Sequence, residues 1–401
     1  MRAYERLLKY VSYDTASDES SPSCPSTEKQ KLLGAALVEE MQALGIGDAR
    51  MDEFGYVYGS IPENAPGLPA IGFIAHMDTV DCVPSAPVVP SIVENYDGGP
   101  VTLANGDVLD PALYPAVKAA KGKRLIVTDG NTLLGADDKA GVAEILTACE
   151  ALLADTARKH GKICVGFTPD EEIGRGTDRF DVKGFGADYA YTVDGGAVGD
   201  ISYENFNAAS GRVAVHGRSV HPGSAKGVMK NAALIAMEFA GLLPPAEHPE
   251  YTEGREGFYH LCDMQGQEER ATLQYILRDH DRARFEARKA RFLAAADYLN
   301  GVYGPGTVEA EVQDSYYNMR EAVEPRMEIV ERVCAAYRAL GIEPVSSPIR
   351  GGTDGARLTF MGLPTPNIAT GGMNFHGRFE CIAVEDMDVM VQVLLRIMTE
   401  A

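Results

Sequence analysis

Several absences narrow the reading of this chain. Its seven cysteines, Cys24, Cys82, Cys149, Cys164, Cys262, Cys334 and Cys381, include no C-x-x-C pair, and their number is odd. That argues against a disulfide frame and for free thiols in a reducing compartment. No apolar run approaches the length of a membrane span, and the opening MRAYERLLKYVSYDT scatters charges where a signal peptide needs an apolar stretch. A cytoplasmic protein is therefore expected. Positive charge is scarce as well: 37 Lys and Arg stand against 58 Asp and Glu, a net charge of −21. Such a polyanion repels nucleic acid and anionic lipid, so neither is expected as a partner. Internal repeats, low-complexity tracts and basic runs are missing too.

What is present is an ordinary globular composition over 401 residues, too long for one small core, so two domains are expected. TEKQKLLGAALVEEMQAL, residues 27–44, carries Leu33, Leu37, Met41 and Leu44 at helical spacing, with Ser26 or Thr27 as cap and Gly45 as stop. LPAIGFIAHMDTV reads as a buried strand. Residues 84–123, rich in Pro, Gly and Asn, hold too many apolar residues for a linker and read as an ordered excursion with short strands. RLIVTDG is a further short strand. DKAGVAEILTACEALLA reads as a helix, and KICVGFTPD and GADYAYTVDGG as strands. This alternation predicts a mixed, mainly parallel sheet covered by helices, an α/β catalytic domain. From residue 206 the pattern changes to strand, helix, strand, helix, strand, with a long charged helix at 281–303. A small α+β lid or dimerisation domain, 206–316, is thus expected as an insertion between catalytic segments 1–205 and 317–401. Helices at 321–340 and 384–400 complete the chain.

In such sheets ligands gather beyond the carboxyl ends of the strands. His76, the pair Glu171–Glu172 and Asp194 all fall at strand exits, and Asp137 stands at a Gly-flanked turn before a helix. His76 and Asp78, two apart, can share one strand face, so Asp78 can orient a metal-binding imidazole. Asp137 and Asp138 read blandly as a helix cap, but one cap needs one carboxylate. A carboxylate can offer each oxygen to a different cation, so Asp137 can bridge two metals. Glu171 and Glu172 are consecutive; in an extended chain they point to opposite sides, so one would bind metal and the other reach toward a water. His376 lies in the Gly-rich TGGMNFHGRFE. Each residue alone reads as a turn or surface group. Together, two His and three carboxylates suit zinc or its neighbours, one carboxylate being shared.

These motifs resemble the M20 clan of metallopeptidases, and within it the peptidase T (tripeptide aminopeptidase) group. The likeness spans nearly the whole chain. It rests on IGFIAHMDTV, VENYDGG, TLLGADDKAGVAEI, FTPDEEIGRG, YTVDGG, VHPGSAKG, RDHDRARFEARK and PIRGGTDGARLTFMGLPTPNIATGGMNFHGRFE. The resemblance implies two zinc ions per chain, with cobalt or manganese as substitutes. His76, Asp137 and Asp194 would hold one ion; Asp137, Glu172 and His376 would hold the other. It implies Asp78 as the group orienting His76, and Glu171 as general base and proton shuttle. His221 would steady the oxyanion, from its own subunit or a partner's. Arg278 and Arg350 would bind the substrate's terminal carboxylate. It also implies a cis peptide at Asp137–Asp138.

The expected activity is hydrolysis of short peptides with a free N-terminus. A deacylase, amidohydrolase or carboxypeptidase of the same clan acting on N-acyl amino acids is the near alternative. A metal- or peptide-binding protein without turnover is the alternative from another class. A two-metal phosphoesterase lacks the Gly-rich and basic phosphate-binding patterns it would need. The sequence leaves open the preferred tripeptides, the metal used in the cell, the group that holds the free α-amine, and a homodimer through the inserted domain.

Overall fold

The structure, a computed structural model, describes residues 1–399. The chain divides into two compact units. The first comprises Met1–Tyr203, Glu321–Ser347 and the chain from Thr353 onward; the second comprises Glu204–Arg320 with Pro348–Gly352.

The first unit is built on an eight-stranded mixed sheet. Its four central strands, Ile163–Thr168, Ile71–His76, Tyr189–Gly195 and Asn367–Ala369, run parallel. Val57–Ile61 and Arg50–Met51 extend one edge in antiparallel fashion. Asp200–Ser202 joins the other edge antiparallel, followed by Val345–Ser346. All six residues of Ile71–His76 and all six of Ile163–Thr168 are buried, which is why both read as unbroken apolar runs rather than alternating ones. The helix Ala136–Ala154 packs close to the sheet through Gly141: a Cβ there would stand 2.0 Å from the Val193 carbonyl oxygen. Residues 84–123 form the expected excursion, with strands Ser91–Val93, Val101–Thr102 and Val108–Leu109 and a 3₁₀ turn, Pro115–Ala120. Leu125–Val127 does not enter the main sheet. It forms a second, antiparallel sheet with Ser91–Val93, Cys381–Ala383 and Gly372–Met373, over a core that includes Tyr96, Leu109 and Val117.

Local chemistry moves some helix ends from their expected places. The first long helix is Gln30–Leu44, closed by Gly45 at φ 101°. Neither Ser26 nor Thr27 caps it: the Ser26 hydroxyl is engaged with Asp170, and Lys29 holds the cap position. The helix expected over 321–340 is broken. Arg320–Val323 passes through a 3₁₀ turn at Glu324–Arg326 into Glu328–Ala339, because Pro325 lacks the N–H that a continuous helix needs. The last helix is Val384–Thr399; residue 400 lies outside the described residues.

The second unit is an antiparallel sheet ordered Phe258–Gly266, Arg270–Asp279, Asn207–His216, Val308–Tyr316, with helices Ala232–Leu242 and Arg282–Tyr303. The strand Arg270–Asp279 alternates buried and less buried residues, as a sheet covered on one face requires. Phe239, Phe285, Phe292, Leu273 and Leu277 meet between sheet and helices. Each such side chain contributes roughly 1.5–3 kcal/mol by leaving water. Asp281 caps the long helix by accepting the Arg284 N–H at 2.8 Å.

Candidate metal centre

Five chain segments of the first unit deliver the expected ligands to one place. His76 is the last residue of its strand, and Asp194 lies near the end of Tyr189–Gly195. Asp137 and Asp138 form a non-helical kink at the start of Ala136–Ala154, behind Gly135 at φ 79°, and the peptide between them is cis. Glu172 lies in the turn after Ile163–Thr168. His376, at φ 60°, follows the short strand Gly372–Met373.

The geometry makes two overlapping groups: His76, Asp137 and Asp194, and Asp137, Glu172 and His376. Within each group one donor atom per residue lies within 4.8 Å of the others. Asp137 belongs to both and gives each a different oxygen. Its Oδ1 lies 2.9 Å from His76 Nε2, and its Oδ2 lies 3.0 Å from His376 Nε2. Asp194 Oδ1 is 3.6 Å from His76 Nε2, and Glu172 Oε2 is 3.0 Å from His376 Nε2. Glu172 Oε1 is buried without a hydrogen-bond partner. An orphaned carboxylate oxygen in a cluster of imidazoles and carboxylates fits a pair of divalent cations.

Electrostatics agree with that fit. Burial, with the like charges of Asp137 and Glu172, pushes Asp194 up to about 7 against the pull of His76. Burial also raises Glu172, although the His376 hydrogen bond opposes it. Burial tends to raise Asp137, but hydrogen bonds from His376 and His76 hold it well below the usual carboxylate range. Burial disfavours a charged His76, yet Asp194, Asp137 and Asp78 together raise it well above its ordinary value. Hydrogen bonds that His376 donates to Asp137 and Glu172 push it up to about 11. Crowded anions that borrow protons from their neighbours are a site that a cation relieves.

Glu171 is drawn in by the same turn. Burial raises its carboxyl well above the usual range, His76 opposing and Asp354, Asp194 and Glu172 adding to the shift. The two glutamates lie in a turn rather than on the extended chain expected from sequence. In it the Gly174 N–H bonds the Glu171 carbonyl at 2.7 Å, so the turn sets their separate directions. Asp78, fully buried, holds that turn: its Oδ1 accepts the Glu171 N–H at 2.9 Å and its Oδ2 accepts the Glu172 N–H at 3.2 Å. Its Oδ1 also lies 3.4 Å from His76 Nδ1, whose nearer partner is the Asp78 carbonyl at 3.1 Å.

Three buried carboxylates support the site: Asp138, expected from sequence only as a cap beside Asp137, and Glu380 and Asp354, which the sequence does not mark. Asp138 accepts the His76 N–H and the Gly141 N–H, each at 3.2 Å, joining strand end to helix start. Glu380 accepts three N–H groups in the approach to Asp137: Leu134 at 2.9 Å, Gly135 at 2.8 Å and Asp137 at 2.9 Å. Asp354 accepts the Thr168 hydroxyl at 3.0 Å just before the glutamate turn. Glu380 and Asp354 stand in quoted motifs, but nothing in their spacing marks what they hold.

The other three residues named from sequence belong to the second unit. His221 is exposed, and its Nδ1 accepts the Gly223 N–H at 3.1 Å in the turn Pro222–Ser224. Arg278 donates from Nη1 to the Arg350 carbonyl at 2.8 Å, while its Nε is buried and unpartnered. Arg350 uses both terminal nitrogens on the 252–256 loop, bonding Gly254 O at 2.8 Å and Thr252 Oγ1 at 3.0 Å, and lies over the Phe206 ring at 5.1 Å.

A family model described as Peptidase family M20/M25/M40 matches residues 125–400, more than half of the chain. The chain belongs to the M20 peptidase family. Across its whole length this M20 peptidase is similar to proteins named Peptidase T. One from Clostridium perfringens is 54% identical over 397 residues, covering 99% of this chain and 98% of the relative. One from Caldanaerobacter subterraneus subsp. tengcongensis is 52% identical over 399 residues, with the same coverage. Among solved structures, the aminopeptidase PepT from Bacillus cereus superposes with a TM-score of 0.78 at 23% identity, covering 100% of this chain and 98% of the other. A Bacillus subtilis protein described as a dinuclear metal binding peptidase from M20 family superposes at 0.64 and 13% identity, covering 99% and 96%. At those identities the superpositions show the fold, and the fold is the M20 one. No helix among the described residues is long and apolar enough to cross a membrane.

Proposed function

We propose that this chain is a two-zinc aminopeptidase that releases the N-terminal residue of tripeptides. One observation carries the reading: Asp137 presents one oxygen to each of two ligand groups beside the half-buried Glu171, whose carboxyl is raised by its surroundings. The names of the full-length relatives, and of a Staphylococcus aureus structure described as a tripeptidase, support the peptide substrate. That structure superposes with a TM-score of 0.78 at 21% identity.

His76, Asp137 and Asp194 would hold one zinc, and Asp137, Glu172 and His376 the other. Bound there, the pair supplies a water of lowered pKa and Lewis-acid polarisation of the scissile carbonyl. The chain's own residues do the rest. Asp78 fixes the turn that carries Glu171 and the tautomer of His76. The Glu171 carboxylate takes a proton from the attacking water and hands it to the leaving amine. His221 would donate to the oxyanion. Arg278 would bind the peptide's terminal carboxylate, and its buried, unpartnered Nε is a donor that an anion would satisfy. Arg350 enters the same subsite by holding Arg278 through its carbonyl oxygen. Free thiols at all seven cysteines fit a cytoplasmic setting.

The test is hydrolysis of a tripeptide, a dipeptide and an N-acetyl-tripeptide, with metal counted per chain and a chelator control. Cleavage of the free tripeptide alone, abolished by chelation, is expected. Preference for the N-acetyl form would turn the reading to a deacylase of the same clan. Glu171→Gln is expected to lower kcat roughly 10²–10⁴-fold with metal retained; unchanged turnover would remove Glu171 as the base.

A further inference from the structure

Just before the Glu171–Glu172 pair stands a charged group that the chemistry above leaves unused. Asp170 is fully buried, and its backbone lies at φ 59°, the left-handed region that a non-glycine residue adopts only when its surroundings enforce it. What enforces it is a strap from the N-terminal part of the chain. Ser26 donates its N–H to Asp170 Oδ2 at 2.6 Å and its hydroxyl to Oδ1 at 2.5 Å. Gln30 donates from Nε2 to Oδ1 at 2.7 Å and accepts the Asp170 N–H on Oε1 at 3.2 Å. Arg175 ties the far side of the turn to the same strap. Its N–H bonds the Asp170 carbonyl at 2.9 Å, and its terminal nitrogens bond Ser21 O at 2.8 Å and Ser23 O at 2.6 Å.

Three donors on one buried carboxylate, two of them side-chain groups, set its orientation as well as its place. The two glutamates differ in what else restrains them. Glu172 is held by Asp78 at its N–H and by His376 at its carboxylate. Glu171 is held at its backbone, by Asp78 at its N–H and by the Gly174 N–H at its carbonyl, and the peptide preceding it comes from Asp170. Loosening Asp170 therefore frees Glu171 more than Glu172. We propose that Asp170, clamped by Ser26 and Gln30, is a positioning residue for hydrolysis that fixes the direction in which the turn presents the Glu171 carboxyl. The assignment rests on the reading of Glu171 as the base.

The experiment uses the full chain loaded with zinc and four variants: Ser26→Ala, Ser26→Thr, Gln30→Met and Glu171→Gln. The readouts are kcat and KM on a tripeptide, metal content by mass spectrometry, and melting temperature. Ser26→Ala and Gln30→Met are expected to lower kcat about tenfold to a hundredfold, the scale of a misplaced catalytic group, with KM and metal content unchanged. Ser26→Thr keeps the hydroxyl donor and is expected to restore kcat. Wild-type kcat in both clamp variants beside an inactive Glu171→Gln overturns the positioning role and leaves the base standing. An active Glu171→Gln removes both. A kcat that falls only in step with metal content, or that Ser26→Thr does not restore, also overturns the proposal, because the strap then serves the fold or the ligand Glu172. Should Gln30→Met not fold, the two Ser26 variants decide alone.

Discussion

At the scale of the residue, the buried carboxylates differ by what they accept. Those facing imidazoles can give their oxygens to a cation, whereas Asp78, Asp138 and Glu380 spend theirs on main-chain N–H groups, and Asp170 on one main-chain and two side-chain donors. Glu380 is the clearest case, with three N–H donors converging from the loop that delivers Asp137. Glu380→Ala leaves those donors unpaired in a buried place, and is expected to cost roughly 3 kcal/mol or more. It should also weaken metal binding about 10–100-fold, as loss of an outer partner does. Glu380→Gln keeps one acceptor oxygen and should lose less of both. Denaturant unfolding and a zinc titration of the two variants check this; equal, near-native behaviour of Glu380→Ala would show that the loop holds Asp137 without it.

At the scale of the element, glycine marks where a helix must approach something and where it need not. In Ala136–Ala154 a Cβ at Gly141 would meet the Val193 carbonyl at 2.0 Å, with Asp138 Oδ1 at 2.5 Å. Gly141→Ala must therefore push the helix off the strand that carries Asp194, at a cost of roughly 1–3 kcal/mol or more. In Arg282–Tyr303 a Cβ at Gly301 would meet nothing within 4 Å. Gly301→Ala is expected to stabilise by up to about 1 kcal/mol through helix propensity alone. Thermal or denaturant unfolding of the pair reads the opposite signs directly. Two shifts of the same sign would contradict the close packing at Gly141 and the open space at Gly301.

At the scale of the whole molecule, the candidate metal centre and its surroundings concentrate carboxyls whose burial shifts their titration. Burial pushes Asp194, Asp354 and Glu380 each to about 7, above their ordinary values near 4. A carboxyl raised in the folded state holds a proton that the unfolded chain releases. Its contribution to stability is full below about pH 4 and is lost as pH rises toward 7. The metal-free protein should thus lose stability over that window. Zinc, which needs the deprotonated ligands, should add more to the melting temperature at pH 7 than at pH 5, with protons released on binding. At free zinc a hundredfold above Kd the gain is about 2.7 kcal/mol. Melting curves at both pH values, with and without a chelator, check this; an increment independent of pH would count against ligands that bind as carboxylates.

The alternation of buried strands and helices was legible in the chain, because strands covered on both faces must be apolar throughout, as Ile71–His76 and Ile163–Thr168 are. Strand exits were legible too, since a polar residue ending such a run can only point beyond the sheet. The sequence by itself therefore determined the fold class, the family and the short list of His76, Asp137, Glu172, Asp194 and His376. Tertiary structure alone decided that Glu171 and Glu172 occupy a turn, and that Asp78, Glu380 and the Ser26–Gln30 strap hold that turn and the Asp137 loop. The physical reason is range. Periodicity reports what lies within a few residues along the chain, whereas a buried carboxylate is satisfied by donors 140 or 245 positions away, such as Gln30 on Asp170 and Gly135 on Glu380.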